Sequence, residues 1–278
     1  MYSQTFNKTK NKNPRFVSPQ TFIKIKKMKP FIKREKPVYD NLLYGRHPII
    51  EAFDAGRTLD VIYTQKDLKS EILDEIRLKA KEHNVPIKAV PKEKLDYLTY
   101  RANHQGVAAF ISEIKYAEKE EILEQVLAKG KTPLFLILDS ITDVRNFGAI
   151  ARTALGTGVQ AIIIPKRNSA QVNSDAMKTS AGALNKLPVC REDDLVQTIK
   201  WCKAQGMQVL VSDLKATKKV SELDYTKPTV IVVGEEAEGV NRLIINRADE
   251  TFIIPILPAM DSYNVSVATG IILYEAMK

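Results

Sequence analysis

Continuous apolar runs alternate with amphipathic segments throughout the second half of the chain. Such runs predict strands covered on both faces, because a half-solvated strand would alternate apolar with polar residues. The runs are Leu134–Leu138, Val159–Ile164, Val209–Ser212, Thr229–Val233 and Thr251–Ile254. The helical patterns between and after them are Gly148–Leu155, Asp193–Gln205 and Val265–Met277. This order predicts an α/β fold with a parallel, doubly wound sheet.

The first half predicts a smaller α/β module over residues 38–113. Its helical patterns cover Pro48–Ala55 and a segment that Ser70 would cap and that ends near Asn84. Its strand patterns are Leu59–Tyr63, Val85–Val90 and Val107–Ile111. We interpret residues 114–131 as a linker with a short helical pattern, and residues 132–278 as the second domain.

The positive charge of the chain is concentrated at its N-terminus. Residues 1–36 hold eleven Lys or Arg and one acid, a charge of +10, whereas the whole chain carries +9, so the remainder carries −1. We expect residues 1–37 to be a disordered basic tail that attracts phosphate groups. A solubilising leader, or a true start at Met28, is the alternative.

Composition excludes several classes of protein. Two cysteines are too few for a disulfide framework, and three histidines without a neighbouring cysteine make a metal site improbable. No apolar run approaches the roughly 18 residues of a membrane span, and no secretory signal follows the basic segment. We therefore expect no metal and no membrane partner.

Common nucleotide motifs are absent or misplaced. The phosphate-binding pattern Gly-x-x-x-x-Gly-Lys-Ser/Thr does not occur. Residues Gly156–Ala161 match Gly-x-Gly-x-x-Ala, but they follow a helix and lead into a strand, the reverse of the dinucleotide fingerprint. We expect a helix-to-strand turn there.

Two loops of the first module combine a cation with His and Gly near the ends of elements. One contains Arg46 and His47; the other runs from Arg101 to Gly106 and contains His104. Such groups could contact phosphates or unpaired bases. From the residues alone, turns whose histidines cap backbone groups are the favoured alternative.

Three segments of the second domain lie where strands end, which is where open α/β sheets bind ligands. They are Asp139–Arg152, Gly234–Gly239 and Ile254–Ser266. Asn146 could cap a helix in the first segment, Gly148 would let another backbone approach closely, and Ser262 and Asn264 would begin the last helix. An Arg such as Arg152 beside a helix N-terminus suits an anion, phosphate in particular.

In order, spacing and context, these segments resemble the three motifs of the SpoU-type 2′-O-ribose RNA methyltransferases of the SPOUT superfamily. The stretches Arg167–Asn173, Ser180–Ala183 and Leu187–Val189 look like the branch that methylates a guanosine of large-subunit ribosomal RNA. The first module resembles that branch's ribosomal-protein-like RNA-binding domain, through Tyr44–Pro48 and His104–Val107. The resemblance implies S-adenosylmethionine as cofactor, RNA as substrate, a trefoil knot in a SPOUT domain, a homodimer and a cytoplasmic enzyme.

The resemblance also implies site residues. Cofactor contacts, largely from the backbone, would come from Gly234, Ile254, Leu257, Tyr263 and Asn264. The catalytic positions would be Asn146, Arg152, Glu236, Ser262 and Asn264. RNA contacts would come from Arg46, His47, His104, Arg145 and Arg152. The chain departs from the family at Arg145, where Pro is usual, and at Asp261 and Tyr263, which replace a Ser and a Leu.

As a hypothesis, Arg152 lies against the acceptor 2′-hydroxyl and favours development of the alkoxide. Asn146 would orient Arg152 or the ribose, and Glu236 would hold Arg152 or Asn264. The alternatives are the same chemistry on transfer RNA, a non-catalytic RNA-binding protein of the same fold, and a plain structural protein.

Overall fold

Two sheets, one mixed and one wholly parallel, organise the computed structural model, which describes residues 39–236 and 238–278. The predicted basic tail lies outside the described residues. Tyr39–Lys278 form one compact unit that contains both sheets. The α/β fold with a parallel sheet is confirmed.

The N-terminal sheet has the strand order β1-β4-β2-β3. Its strands are β1 (Leu42–Tyr44), β2 (Leu59–Gln65), β3 (Ile87–Val90) and β4 (Val107–Ile111). Strand β4 pairs antiparallel with β1 and β2, while β3 runs parallel to β2. The helices are α1 (Arg46–Asp54), α2 (Glu71–Glu82) and α3 (Lys92–Leu98). Strand β1 and helix α3 were not predicted, because three and seven residues are too few to establish a period.

Helices α1 and α2 cover one face of this sheet. Ile49 and Phe53 of α1 and Leu73 and Ile76 of α2 are buried in a single cluster with the strands. Ser70 precedes α2 as predicted, but its hydroxyl makes no capping bond; instead it accepts a hydrogen bond from Arg46 Nη1 at 3.1 Å.

The C-terminal sheet has six parallel strands in the order β10-β8-β9-β5-β6-β7. They are β5 (Leu134–Asp139), β6 (Ala161–Pro165), β7 (Val189–Glu192), β8 (Gln208–Ser212), β9 (Thr229–Gly234) and β10 (Glu250–Phe252). Residues Gly156–Ala161 form the expected turn from a helix into β6. Strand β7 was not predicted from the sequence, because its four residues are too few to establish a strand pattern.

Helices cover both faces of this sheet. They are α4 (Lys119–Ala128), α5 (Val144–Gly156), α6 (Ser174–Thr179), α7 (Leu195–Ala204), α8 (Arg242–Ile245) and α9 (Val265–Met277), with 3₁₀ turns at Ala183–Asn185 and Val220–Glu222. Helices α5, α6 and α9 bury their apolar residues on one face, and α4, α7 and α8 bury theirs on the other.

The segment interpreted as a linker contains α4, a packed helix. Ile122, Leu123 and Val126 of α4 are buried in the core of the C-terminal sheet. The charged residues around them lie on the exposed side of α4, so composition alone suggested a connector.

The residues before α4 contact the N-terminal sheet. Tyr116 donates a hydrogen bond to Asp60 of β2 at 2.5 Å.

Candidate active site

The three strand-end segments meet at the carboxyl edge of the C-terminal sheet. Strands β5 and β9 are neighbours, and Asp139 pairs in register with Gly234. Asp139 is buried and accepts a hydrogen bond from Asn241 N at 2.7 Å, which ties the first loop to the end of the second. Helix α9, which follows the third segment, packs against α5.

The cap of α5 is Asp143 and not Asn146, so the predicted cap is wrong by three residues. Asp143 Oδ1 accepts hydrogen bonds from Arg145 N at 2.9 Å and Asn146 N at 2.8 Å. Asp is as good a cap as Asn, and both occur in this segment. As a result, the Asn146 side chain is free for a partner elsewhere.

Gly148 brings α5 close to α6, as predicted. A Cβ added at Gly148 would lie 2.8 Å from the Ala176 carbonyl oxygen and 2.8 Å from Thr179 Cβ. Helix α5 is therefore held tightly at the end that carries Asn146.

Asn264 joins all three segments through its side chain. Its amide nitrogen Nδ2 donates to Asn146 Oδ1 at 3.1 Å and to Glu236 Oε1 at 2.6 Å. Its oxygen Oδ1 caps α9 by accepting from Ser266 N at 3.1 Å. Glu236 Oε1 also accepts from Val265 N at 3.0 Å. Glu236 thus holds Asn264, one of the two roles predicted for it, and does not hold Arg152.

The loop after β9 turns back on itself at a glycine. Gly239 N donates to Glu235 O at 3.0 Å, and Glu235 and Gly239 form an isolated antiparallel bridge. A Cβ added at Gly234 would lie 2.1 Å from Gly239 O, a distance that real Cβ atoms do not adopt. The turn therefore requires glycine at position 234.

A cavity of about 370 Å³ opens beside this turn, within the size range of small-molecule sites. Among the predicted cofactor residues, Gly234, Ile254 and Tyr263 line it, and the predicted catalytic Ser262 lines it as well. The Tyr263 hydroxyl donates to Pro255 O at 3.2 Å, which closes the third loop. Leu257 does not line the cavity, and its side chain is 79% exposed.

Acidic side chains dominate the charge at the cavity wall. Asp213, Glu235, Glu236 and Glu238 lie there, and Lys215 is the one cation that the described part of the chain places among them. Four carboxylates at one opening create a negative potential, so the cavity suits a ligand that carries positive charge. Nothing in the structure explains Asp261, which is exposed.

Arg152 is exposed and lies outside the cavity lining. Among the described residues its guanidinium has no hydrogen-bond or ion-pair partner, and the same is true of the Arg145 guanidinium. The two arginines are seven residues apart on α5, which places them on one side of the helix about 10 Å apart. Asn146 lies roughly a third of a turn away from Arg152, so the hypothesis that Asn146 orients Arg152 finds no support in the contacts.

The predicted RNA contacts in the N-terminal loops differ in their exposure to solvent. His104 is only 5% exposed; its Nδ1 accepts from Gly106 N at 2.9 Å, and its Nε2 therefore carries the proton and donates to Asp96 Oδ1 at 3.0 Å. Both ring nitrogens of His104 are occupied by these hydrogen bonds, as expected of a histidine that supports the loop, and RNA binding by His104 stays a prediction. His47 is exposed, and Arg46 Nε donates to Gln105 O at 3.1 Å.

Two charged lining residues outside the three predicted segments, Asp213 and Lys215, were not predicted from the sequence. They follow β8, and Asp213 Oδ1 accepts from Lys215 N at 3.0 Å. Open α/β sheets bind ligands where their parallel strands end, and this rule, which selected the other three segments, also applies to β8, which ends at Ser212. The position of β8 beside β9 could not be read from local patterns.

Within residues 39–236 and 238–278, no group of three or more His, Cys, Asp or Glu side chains is arranged to hold a metal ion. Over the same ranges, every helix is too short or too polar to cross a membrane.

Two family models match the chain. Residues 133–274 match the SpoU rRNA methylase family. Residues 42–117 match the substrate-binding domain of RNA 2′-O ribose methyltransferases. The two matches correspond to the parts of the chain that form the C-terminal and N-terminal sheets.

Relatives and solved structures agree with these models. A protein of Staphylococcus aureus (strain MSSA476) assigned to the TrmH family of tRNA/rRNA methyltransferases is 36% identical over 86% of this chain and 96% of its own length. An AdoMet-bound rRNA methyltransferase from Sinorhizobium meliloti has a TM-score of 0.54 and 25% identity, covering 84% of this chain and 85% of its own. The SpoU methyltransferase AviRb from Streptomyces viridochromogenes, in complex with AdoMet, has a TM-score of 0.54 at 23% identity, covering 85% of this chain and 88% of its own.

Proposed function

This chain belongs to the SpoU family of rRNA methylases, and we propose that it methylates a ribose 2′-hydroxyl of RNA, with a guanosine of large-subunit ribosomal RNA as the target. The observation that carries the proposal is the bridge of Asn264 to Glu236 and Asn146, which ties the three strand-end loops together beside the cavity. The match of residues 42–117 to a substrate-binding domain supports RNA as substrate. The ribosomal target rests on the likeness of Arg167–Asn173 to that branch.

S-adenosylmethionine is the cofactor that fits the cavity. The tight turn at Gly234 leaves backbone, rather than a side chain, at the opening, and the wall carboxylates favour a sulfonium cation. When bound, this cofactor supplies a methyl group activated on that sulfonium, so no acid is needed for the leaving group. Gly234, Ile254 and Tyr263 would hold it, and a backbone contact from Leu257 stays a prediction.

The chain's own residues hold the three loops in place and provide positive charge near the acceptor hydroxyl. Glu236 and Asn146 fix the Asn264 amide, so the loops keep one arrangement when RNA arrives. Ser262, which has no hydrogen-bond partner among the described residues, is available to the ribose. A guanidinium stays protonated, so Arg152 would stabilise negative charge on the acceptor oxygen and on an adjacent phosphate.

A homodimer is part of the proposal. Helix α9 is apolar on all sides, yet Val267, Tyr274 and Met277 are more than half exposed, and a helix of this kind usually has a partner on each side. Gly270 of α9 lies against Thr153, so Arg152 is next to this exposed apolar surface. The trefoil knot and a cytoplasmic location stay predictions from the family.

The test is transfer of a labelled methyl group from S-adenosylmethionine to purified ribosomal and transfer RNA, followed by mapping of the modified nucleotide. We expect alkali-resistant 2′-O-methylguanosine in large-subunit RNA. Label in transfer RNA only would select the alternative target, and label in no RNA would favour a non-catalytic RNA-binding protein.

Arg152→Ala tests the assigned chemistry. Because Arg152 does not line the cavity, this variant should bind the cofactor as the wild type does and lose methyl transfer by about 100-fold or more. Lys200→Ala removes an exposed cation from α7 and is the matched control. An unchanged rate for Arg152→Ala would refute the role.

A further inference from the structure

The face of the N-terminal sheet that α1 and α2 leave uncovered is rich in aromatic rings. The register places four residues in a row across the strands β1, β4, β2 and β3, namely Tyr44, Ala108, Tyr63 and Lys88. The small Ala108 separates two tyrosines in this row. Phe110 lies on the same face, with Tyr63 edge-on at 6.1 Å and Tyr39 edge-on at 5.4 Å between ring centroids.

Helix α3 adds two further rings to this face. Leu98 at its end is buried beside Val61 and Phe110, whereas Tyr97 is 57% exposed and Tyr100 is 40% exposed. Desolvation, followed by the neighbouring Tyr39 and Tyr97, raises the pKa of Tyr100 above its ordinary value. The Tyr100 phenol is therefore neutral at neutral pH, and it does not repel phosphate.

The backbone that presents Tyr100 is in an unusual conformation. Tyr100 and the next residue, Arg101, have φ values of 55° and 62°, in the left-handed region that bulky residues rarely adopt. Backbone strain of this kind tends to persist at ligand sites, where the surrounding structure holds it. Here it presents a tyrosine and an arginine side by side.

The rim of the aromatic face is positively charged. Lys94 Nζ lies 5.6 Å from the centroid of the Tyr97 ring, and Lys88 and Arg101 are exposed. Within the described ranges neither Lys88 nor Arg101 forms an ion pair, whereas the acid Asp96 is engaged by Lys92 at 3.0 Å and by His104 at 3.0 Å. In the sequence, the segment with a charge of +10, residues 1–36, ends three positions before Tyr39.

Exposed flat rings beside unpaired cations are the features that bind single-stranded nucleic acid, since bases stack on the rings and cations meet the backbone. We infer that Tyr44, Tyr97 and Tyr100, with Lys88 and Arg101 at the rim, form a stacking surface for unpaired bases of the RNA substrate. This inference rests on the proposed function for the identity of the RNA, but it concerns a surface distinct from the cavity.

The test measures binding of the full chain to a fluorescein-labelled 12-nucleotide oligoadenylate by anisotropy. The double variant Tyr97→Ala/Tyr100→Ala should bind it at least about tenfold more weakly, whereas Tyr97→Phe/Tyr100→Phe, which keeps both rings, should stay within about twofold of the wild type. Arg101→Gln should lower the slope of log affinity against log salt by about 0.7. Leu127→Ala, at an exposed apolar position on α4, is the control.

Two further measurements separate this inference from the proposed function. In methyl transfer, the alanine variant should raise KM for RNA and leave the single-turnover rate at saturating RNA unchanged. Cross-linking with 4-thiouridine RNA should label the peptide that contains Tyr97 to Arg101. If the alanine variant binds RNA with unchanged affinity, whatever its oligomeric state, the inferred stacking surface is wrong, even if the protein methylates RNA. If the alanine variant loses RNA binding although the protein methylates no RNA, the stacking surface stands and the proposed function fails.

Discussion

Asn264 Nδ2 lies 2.6 Å from Glu236 Oε1, which links the start of the last helix to the loop after β9. The same nitrogen lies 3.1 Å from Asn146 Oδ1, so one amide group holds two loops and the start of α5. Hydrogen bonds to a carboxylate are stronger than neutral ones, and the contact to Glu236 is therefore the principal link.

Removal of the Asn264 side chain should affect catalysis more than stability. Asn264→Ala loses the cap of α9, at a cost of about 1 kcal/mol in the free energy of unfolding. It also frees three loops, and a misplacement of about 1 Å can lower the rate by about 100-fold. Single-turnover methyl transfer and denaturant unfolding measure the two effects. Ser266→Ala keeps the bridge and is the control; equal rates in both variants would contradict the role of the bridge.

A methyl group at position 234 should abolish cofactor binding. Gly234→Ala places a Cβ 2.1 Å from Gly239 O, so the loop must move away from the cavity. Gly156→Ala is the matched control, since a Cβ there meets no atom within 4 Å and alanine stabilises a helix by about 0.5–1 kcal/mol. Calorimetric titration with S-adenosylmethionine should detect binding in the control alone. Normal affinity in Gly234→Ala would mean that the turn does not shape the cavity.

The two histidines of the N-terminal loops should differ in what they support. His104→Ala leaves Gly106 N without its partner, takes one of two partners from Asp96, which keeps Lys92, and should cost about 1–3 kcal/mol in unfolding free energy. Exposed His47→Ala should leave stability unchanged and weaken RNA binding. Thermal melting and a filter-binding assay distinguish the two. Weaker RNA binding by fully folded His104→Ala would show that His104 supports RNA binding as well as stability.

Asp60 should make the folded state less stable as the pH rises. Burial raises the pKa of Asp60 above its ordinary value, and Tyr116 and Arg191 offset this only in part. Above the unfolded-state pKa, the unfolded chain has released a proton that the folded chain still binds, so the unfolding free energy falls until the pH passes the folded-state pKa.

Urea unfolding between pH 4 and pH 7 tests this effect of Asp60. The difference in unfolding free energy between the wild type and Asp60→Asn should change with pH over this range. Glu121→Gln, which removes an exposed carboxylate from α4, provides the comparison. A pH-independent difference for Asp60→Asn would show that the buried carboxyl does not titrate there.

Both cysteines should resist alkylation in the folded protein. Burial raises the pKa of Cys190 and of Cys202 to about 12, and both side chains are inaccessible. At pH 8 only about one thiol in ten thousand would be ionised, and thiolate is the reactive form. Mass spectrometry after iodoacetamide treatment should detect modification only when urea is added. Rapid labelling without urea would indicate local opening of the sheet.

Local patterns determined the parallel strands, the strand-end loops and the family resemblance, because periodicity and motif spacing involve residues close together in the chain. They also indicated that another part of the backbone, which is α6 in the structure, lies close to Gly148. They did not decide between capping by Asp143 and by Asn146, because both residue types suit that position.

Tertiary structure decided which side chains meet. Asn264 is 118 residues from Asn146 and 28 from Glu236, and only the packing of α9 on α5 brings them together. His104 is buried, and its ring contacts Asp96 of α3, eight residues earlier in the chain. The row from Tyr44 to Lys88 exists only through strand register, which pairs residues distant in sequence and leaves no periodic signal along the chain.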